Sequence, residues 1–183
     1  MMKNFLFLAF LMFATQSFSQ TPFDTTGLTK VFVVAVFDGD GCRAMMPDST
    51  IRKIRFASID APERANNLWC SKNQPYSEQS RDSLRSLILN KWIWLDTVPF
   101  RVVKYSYDRQ IADVYLLDGT FLQEVCAAKG WAWALSLTGR TNPDLTIRIN
   151  LAAKFASDNK LGFRGLSGRK YTPAYWRVKY KRG

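Results

Sequence analysis

The sequence predicts an α+β fold in which about five strands close on themselves as a small barrel and about three helices pack outside it. Two observations carry this expectation. Short runs rich in β-branched and aromatic residues end at Gly, Asp or Pro punctuation, and three other segments repeat apolar residues at helical spacing, two of them in the second half of the chain. There is no internal repeat and no Gly/Ser-rich linker, so residues 20–183 read as one domain with a basic C-terminal tail.

Taken in order, VFVVAVF over 31–37 is a strand that stops at Asp38-Gly39-Asp40-Gly41, a turn sequence that calls for positive φ. IRKIRFASI over 51–59 is a second strand, ended at Asp60-Ala61-Pro62 because Pro62 disfavours continuation. Over 74–89 Pro75 suits a first helical turn, and Ser80, Leu84, Leu87 and Ile88 form one stripe. KWIWLDT over 91–97 and IADVYLL over 111–117 are further strands, the latter closing at Asp118-Gly119. Thr120 with Gln123 predicts a capping box for a short helix ending at Gly130. A third helix is expected over 143–159, capped by Asn142, with Leu145, Ile149, Ala152, Ala153 and Ala156 on one face.

The chain has 183 residues, 26 Lys and Arg against 15 Asp and Glu, and a net charge of +11, which suits a polyanionic partner. With 47% hydrophobic and 14% aromatic residues it has enough apolar material for a packed core. It contains no histidine, which excludes every mechanism that needs an imidazole base or ligand. Residues 1–19, MMKNFLFLAFLMFATQSFS, have the anatomy of a cleavable signal peptide: one early lysine, a short apolar run and small residues before Gln20. The expectation is a secreted or periplasmic protein without a membrane span. Export permits a disulfide, and of Cys42, Cys70 and Cys126 the expected pair is Cys42 with Cys70, leaving Cys126 as a buried thiol.

Three acids fall at turn ends: Asp40 in FDGDG, then Asp60 and Glu63 in IDAPER. Alone, each is an ordinary turn residue. Brought together they would repel unless a cation sat between them, and without His or paired Cys a hard ion held by oxygen, Ca²⁺ or else Mg²⁺ or Mn²⁺, is the matching choice.

FDGDG, IRFASIDAPE, KYSYDRQIADVYLLDG and FLQEVCAAKGWA occur in an order and spacing that resemble the staphylococcal-nuclease-like (thermonuclease) family, and the tail PAYWR is similar to that family's common ending. The resemblance implies an OB-fold barrel and a Ca²⁺-dependent phosphodiesterase. It assigns Asp40, Asp60 and the backbone carbonyl of Ala61 to the metal, Glu63 to the general base, and Arg55 and Arg109 to the phosphate and transition state. Asp38 is implied as a group behind the metal ligands. Tyr107 has a ring that can stack on a base or ribose. Gly41 stands where the family usually has Thr, and Asp108 where it usually has Gly.

The expectation is an exported, monomeric, metal-dependent endonuclease acting on DNA and RNA, preferably single-stranded, with low sequence specificity. The alternative is a non-catalytic OB-fold nucleic-acid binder, which has no use for acids that repel phosphate.

Overall fold

In the computed structural model, which describes residues 22–65, 70–97, 109–135, 143–166 and 171–181, the chain forms β1 (Thr29–Asp38), β2 (Gly41–Met45), β3 (Ile51–Phe56), β4 (Ile59–Asp60), α1 (Ser77–Ile88), β5 (Trp92–Asp96), β6 (Arg109–Tyr115), α2 (Leu122–Ala128), β7 (Trp133–Ala134), α3 (Pro143–Asp158), a 3-10 turn (Gly162–Gly165) and α4 (Pro173–Lys179). Strands β1, β2, β3, β6 and β5 close into a five-stranded barrel in that order, the OB-type architecture the sequence predicts. β3 and β6 pair in parallel, with Lys53 opposite Arg109, and the other barrel pairs are antiparallel.

β1 can pair with both β2 and β5 because it is long and twice irregular. Its register shifts between Val33 and Ala35 and again between Val36 and Asp38. Such bulges bend a strand and re-aim its side chains, which is how a short run closes a barrel. Accordingly Val31, Val33 and Val36 are all buried although they break strict alternation. They join Ile54, Phe56, Ile93, Leu95, Ala112 and Val114 in one core. α1 covers this core with Leu84 and Ile88, while Leu145, Ile149, Ala152 and Ala153 of α3 meet Leu122, Cys126 and Ala127 of α2.

Several expectations need correction. The barrel's fifth strand is β2, a segment GCRAM with no strand signal of its own, formed because β1 and β3 flank it on both sides. The single strand expected over 51–59 breaks after Phe56: Ser58 takes a left-handed φ of 60° and sends Ile59 and Asp60 off the barrel to pair with β7. Neither Gly39 nor Gly41 has positive φ. α1 begins only at Ser77, after a left-handed Tyr76. A fourth helix, α4, forms in the basic tail, with Pro173 in its first turn and the Tyr175 N–H donating to Thr172 Oγ1 at 3.2 Å. No disulfide joins the cysteines; Cys42, Cys70 and Cys126 are each buried as free thiols. Asn142, Tyr107, Asp108 and the predicted signal peptide lie outside the described residues. Among the described residues no helix is long and apolar enough to cross a membrane.

The capping box is not formed either. Phe121 occupies the N-cap of α2 without a side-chain bond, and Gln123 is fully buried. Its Oε1 accepts from the Val114 N–H at 3.1 Å and its Nε2 donates to the Ala112 carbonyl at 3.1 Å, so it fastens α2 to the backbone of β6.

Two tests follow from this packing. In a capping box Glu serves as well as Gln. In the observed position Gln123→Glu sets a carboxylate oxygen against the Ala112 carbonyl, and thermal melts are expected to show a loss of about 1–3 kcal/mol; an unchanged or raised melting temperature contradicts the placement. Burial pushes the Cys42 and Cys126 thiols up to about 12 and raises Cys70 as well. A thiol reagent at about pH 8 is therefore expected to find no reactive cysteine in the folded protein and all three after denaturation. A single thiol after denaturation would restore the disulfide.

Candidate active site

The turn between β1 and β2 is the starting point, because two other elements press directly against it. A Cβ at Gly39 would lie 1.9 Å from Ser80 Oγ on α1 and 2.9 Å from the Ala61 side chain. Gly39 is thus required for space, not for φ. Ser80 is itself locked, donating to the Trp131 carbonyl at 2.7 Å. At Gly41 a Cβ would stand 2.8 Å from the Ile54 carbonyl, so the β2–β3 pairing leaves little room there for a side chain such as the Thr usual in resembling sequences.

This close approach puts Asp40 beside the end of β3 and the start of the loop after β4. The Asp40 carbonyl accepts from the Phe56 N–H at 2.9 Å. Asp40 Oδ2 accepts from the Ala61 N–H at 2.6 Å. One guanidinium then joins two acids: Arg55 Nη1 lies 2.7 Å from Asp40 Oδ2 and Nη2 lies 2.9 Å from Asp60 Oδ1. Asp40 and Asp60 are both buried. Burial pushes the Asp40 carboxyl well above the usual carboxylate range; Arg55 draws it down, while Asp38 and Asp60 add to the rise.

Asp60 reaches this position through β4, where it pairs with Trp133 of β7, while the Leu135 N–H donates to the Ser58 carbonyl at 2.8 Å. Glu63 follows in the same loop. Its backbone is gripped at both ends by the buried Gln74: the Glu63 N–H donates to Gln74 Oε1 at 2.9 Å and the Gln74 N–H donates to the Glu63 carbonyl at 2.7 Å. Burial raises the Glu63 carboxyl above its ordinary value, and Arg177 opposes that rise.

These groups open onto one cleft of about 1000 Å³ that also reaches Asp38, Arg109 and Arg177. Arg109 is the first residue of β6 and is exposed. It stands in register with Lys53, which stands in register with Arg43, so three cations cross β2, β3 and β6 side by side at the cleft's edge. The half-exposed Phe37 ring lies under Arg43, 4.9 Å from its guanidinium carbon.

The expected residues Asp40, Arg55, Asp60, Ala61, Glu63 and Arg109 therefore share one cleft, and Tyr107 lies outside the described residues. Ala61 takes part here through its N–H; the resemblance concerned its carbonyl. Among the described residues no three His, Cys, Asp or Glu side chains form a ready cage for an ion. The donor set does suit a hard cation: two buried carboxylates converge on a single positive group and offer only oxygen.

Sequence reasoning missed Arg177 and Gln74. Arg177, on α4, donates from Nη2 to Asp60 Oδ2 at 3.0 Å and from Nη1 to Asp60 Oδ1 at 3.3 Å and to Glu63 Oε1. The one available hint was the arginine closing PAYWR, in a tail that holds several other cations.

The family model described as Staphylococcal nuclease homologue matches residues 53–163. A protein named Probable endonuclease LCL3 from Leptosphaeria maculans is 40% identical over 75 residues, which cover 39% of this chain and 22% of the relative. Probable staphylococcal-like nuclease CAN1 from Oryza sativa subsp. japonica is 29% identical over 136 residues, covering 72% of this chain and 34% of the relative. A Probable endonuclease LCL3 from Meyerozyma guilliermondii is 26% identical over 135 residues, 69% of this chain and 48% of the relative. The chain thus spans less than half the length of each of these relatives. Because the family model covers more than half of the sequence and runs from β3 to the 3-10 turn, the chain belongs to the family of staphylococcal nuclease homologues.

Proposed function

We propose that this protein is an exported, Ca²⁺-dependent nuclease that hydrolyses phosphodiester bonds of DNA and RNA, preferring single strands and reading little sequence. The observation that carries this reading is the Arg55 guanidinium bridging Asp40 and Asp60 beside Glu63 in an open cleft. A protein that only bound nucleic acid would gain nothing from four acids at the place where phosphate must lie. The names of the relatives support the same reaction class. Export rests on the pattern of residues 1–19.

Phosphodiester hydrolysis concentrates negative charge on the phosphoryl oxygens as water attacks. Arginine suits that charge, since its planar fork donates two parallel hydrogen bonds and never loses its proton. Arg55 and Arg109 are assigned this task, stabilising the transition state more than the ground state. Glu63 takes the proton from the attacking water; burial raises its basicity in the direction that work requires. Asp40, Asp60 and the Ala61 carbonyl would hold Ca²⁺, which would supply positive charge beside the same phosphate; Mg²⁺ or Mn²⁺ would meet the same oxygen donors. Asp38 stands behind Asp40 and adds negative charge. The Arg43, Lys53, Arg109 row and the Phe37 ring give an entering strand cations for its backbone and a face for a base, with no base-edge readout.

Single-turnover cleavage of denatured DNA is the primary test. Glu63→Gln is expected to slow cleavage by about 10²–10⁴ while leaving DNA affinity and melting temperature near the unaltered protein. Arg55→Lys keeps the charge and loses the fork, so its rate should fall more than its affinity. Near-normal cleavage by both folded variants overturns this reading in favour of a binder. Chelation by EGTA and EDTA should abolish cleavage and added Ca²⁺ should restore it; full activity in excess chelator rules out the cation.

A further inference from the structure

The C-terminal helix contributes directly to the acid cluster. α4 is fastened to residues 70–74 by contacts that do not involve Arg177. Buried Trp176 donates from Nε1 to the Lys72 carbonyl at 2.8 Å, the Ser71 N–H donates to the Tyr180 carbonyl at 3.0 Å, Cys70 bridges Lys181, and Gln74 Nε2 donates to the Tyr171 carbonyl. Gln74 is the same residue that grips the Glu63 backbone on both sides. Glu63 is therefore held twice by one unit, at its backbone by Gln74 and at its carboxylate by Arg177. Arg177 also forks onto both oxygens of Asp60. Without it, two neighbouring carboxylates would lose the cation between them and Glu63 would be free to turn away.

We propose that Arg177 is a positioning residue of the active centre: it fixes the Glu63 carboxylate relative to Asp60, so that the C-terminal helix is needed for water activation and not merely for stability. This rests on the reading of Glu63 as the base. A mispositioned base costs rate at saturating substrate and leaves ground-state binding alone. A cation serving only as a phosphate anchor does the reverse.

The experiment combines Arg177→Met, Arg177→Lys, Glu63→Gln and the double variant Glu63→Gln/Arg177→Met, read by single-turnover cleavage at saturating denatured DNA, equilibrium DNA binding and melting. Arg177→Met should cleave about 10²-fold more slowly with DNA affinity changed by less than about threefold. Arg177→Lys, which keeps a charge but cannot fork between two acids, should recover part of that rate. In the Glu63→Gln background the Met substitution should change the rate by less than about threefold, because the residue it acts through is already disabled. An independent, multiplicative loss in that background overturns the proposal, as do an unchanged or increased rate in Arg177→Met and a loss confined to affinity. If Arg177→Met fails to fold, Arg177→Lys decides alone: a fully active, folded Arg177→Lys protein overturns the need for the fork. If Glu63→Gln is unimpaired, the base assignment itself falls. If Glu63→Gln is impaired and Arg177→Met is not, only the role of Arg177 falls.

Discussion

The buried carboxylate of Asp40 needs a positive partner, and the Arg55 guanidinium that meets it is the contact on which the rest of the site depends. Removing one partner of such a pair leaves an uncompensated charge in the interior, at a cost of about 3–5 kcal/mol. The β2–β3 register sets the meeting, because Arg55 stands opposite Gly41, one residue after Asp40. The second Arg55 nitrogen reaches Asp60 only because Ser58 breaks the strand and β7 captures its continuation. One arginine thereby ties a hairpin turn, a barrel strand and a two-stranded flap.

The scaffold around this contact tolerates few changes of volume. α1 rests on the turn where Gly39 presents no Cβ, and Ser80 carries the contact on to the Trp131 backbone. On the far side of the same segment Gly130 and Gly162 press backbone to backbone, both at positive φ, with the Phe163 N–H donating to the Gly130 carbonyl at 3.0 Å. Phe163 then stacks on Trp133, the residue paired with Asp60. The packing of the second half of the chain is in this way transmitted to an acid in the cleft.

Charge is distributed with a purpose. The chain carries a net +11, yet Asp38, Asp40, Asp60 and Glu63, four of its 15 acids, gather in one cleft. The cationic row lines the rim, and inside the cleft Asp40, Asp60 and Glu63 are paired with the guanidinium groups of Arg55 and Arg177. A bulk measure such as isoelectric point reports the rim and is blind to the interior.

By itself the sequence determined the elements whose signals are local. The apolar runs that became β1, β5 and β6, the helical stripe of α1, the 143–159 repeat and the turn-ending acids are all legible because each depends on neighbours within a few residues. Resemblance of short motifs added the roles proposed for Asp40, Arg55, Asp60 and Glu63. Only the tertiary structure decided what depends on distant partners. β2 is a strand because two others flank it, Gln123 is a buried clamp and not a cap because α2 packs where it meets the Val114 N–H and the Ala112 carbonyl of β6, and the three cysteines stay free. Arg177 lies 114 residues from Glu63 along the chain, in a tail that holds several other Lys and Arg, and nothing local separates it from them. Its partners are set by where α4 docks on residues 70–74, a consequence of long-range packing that no spacing along the chain encodes.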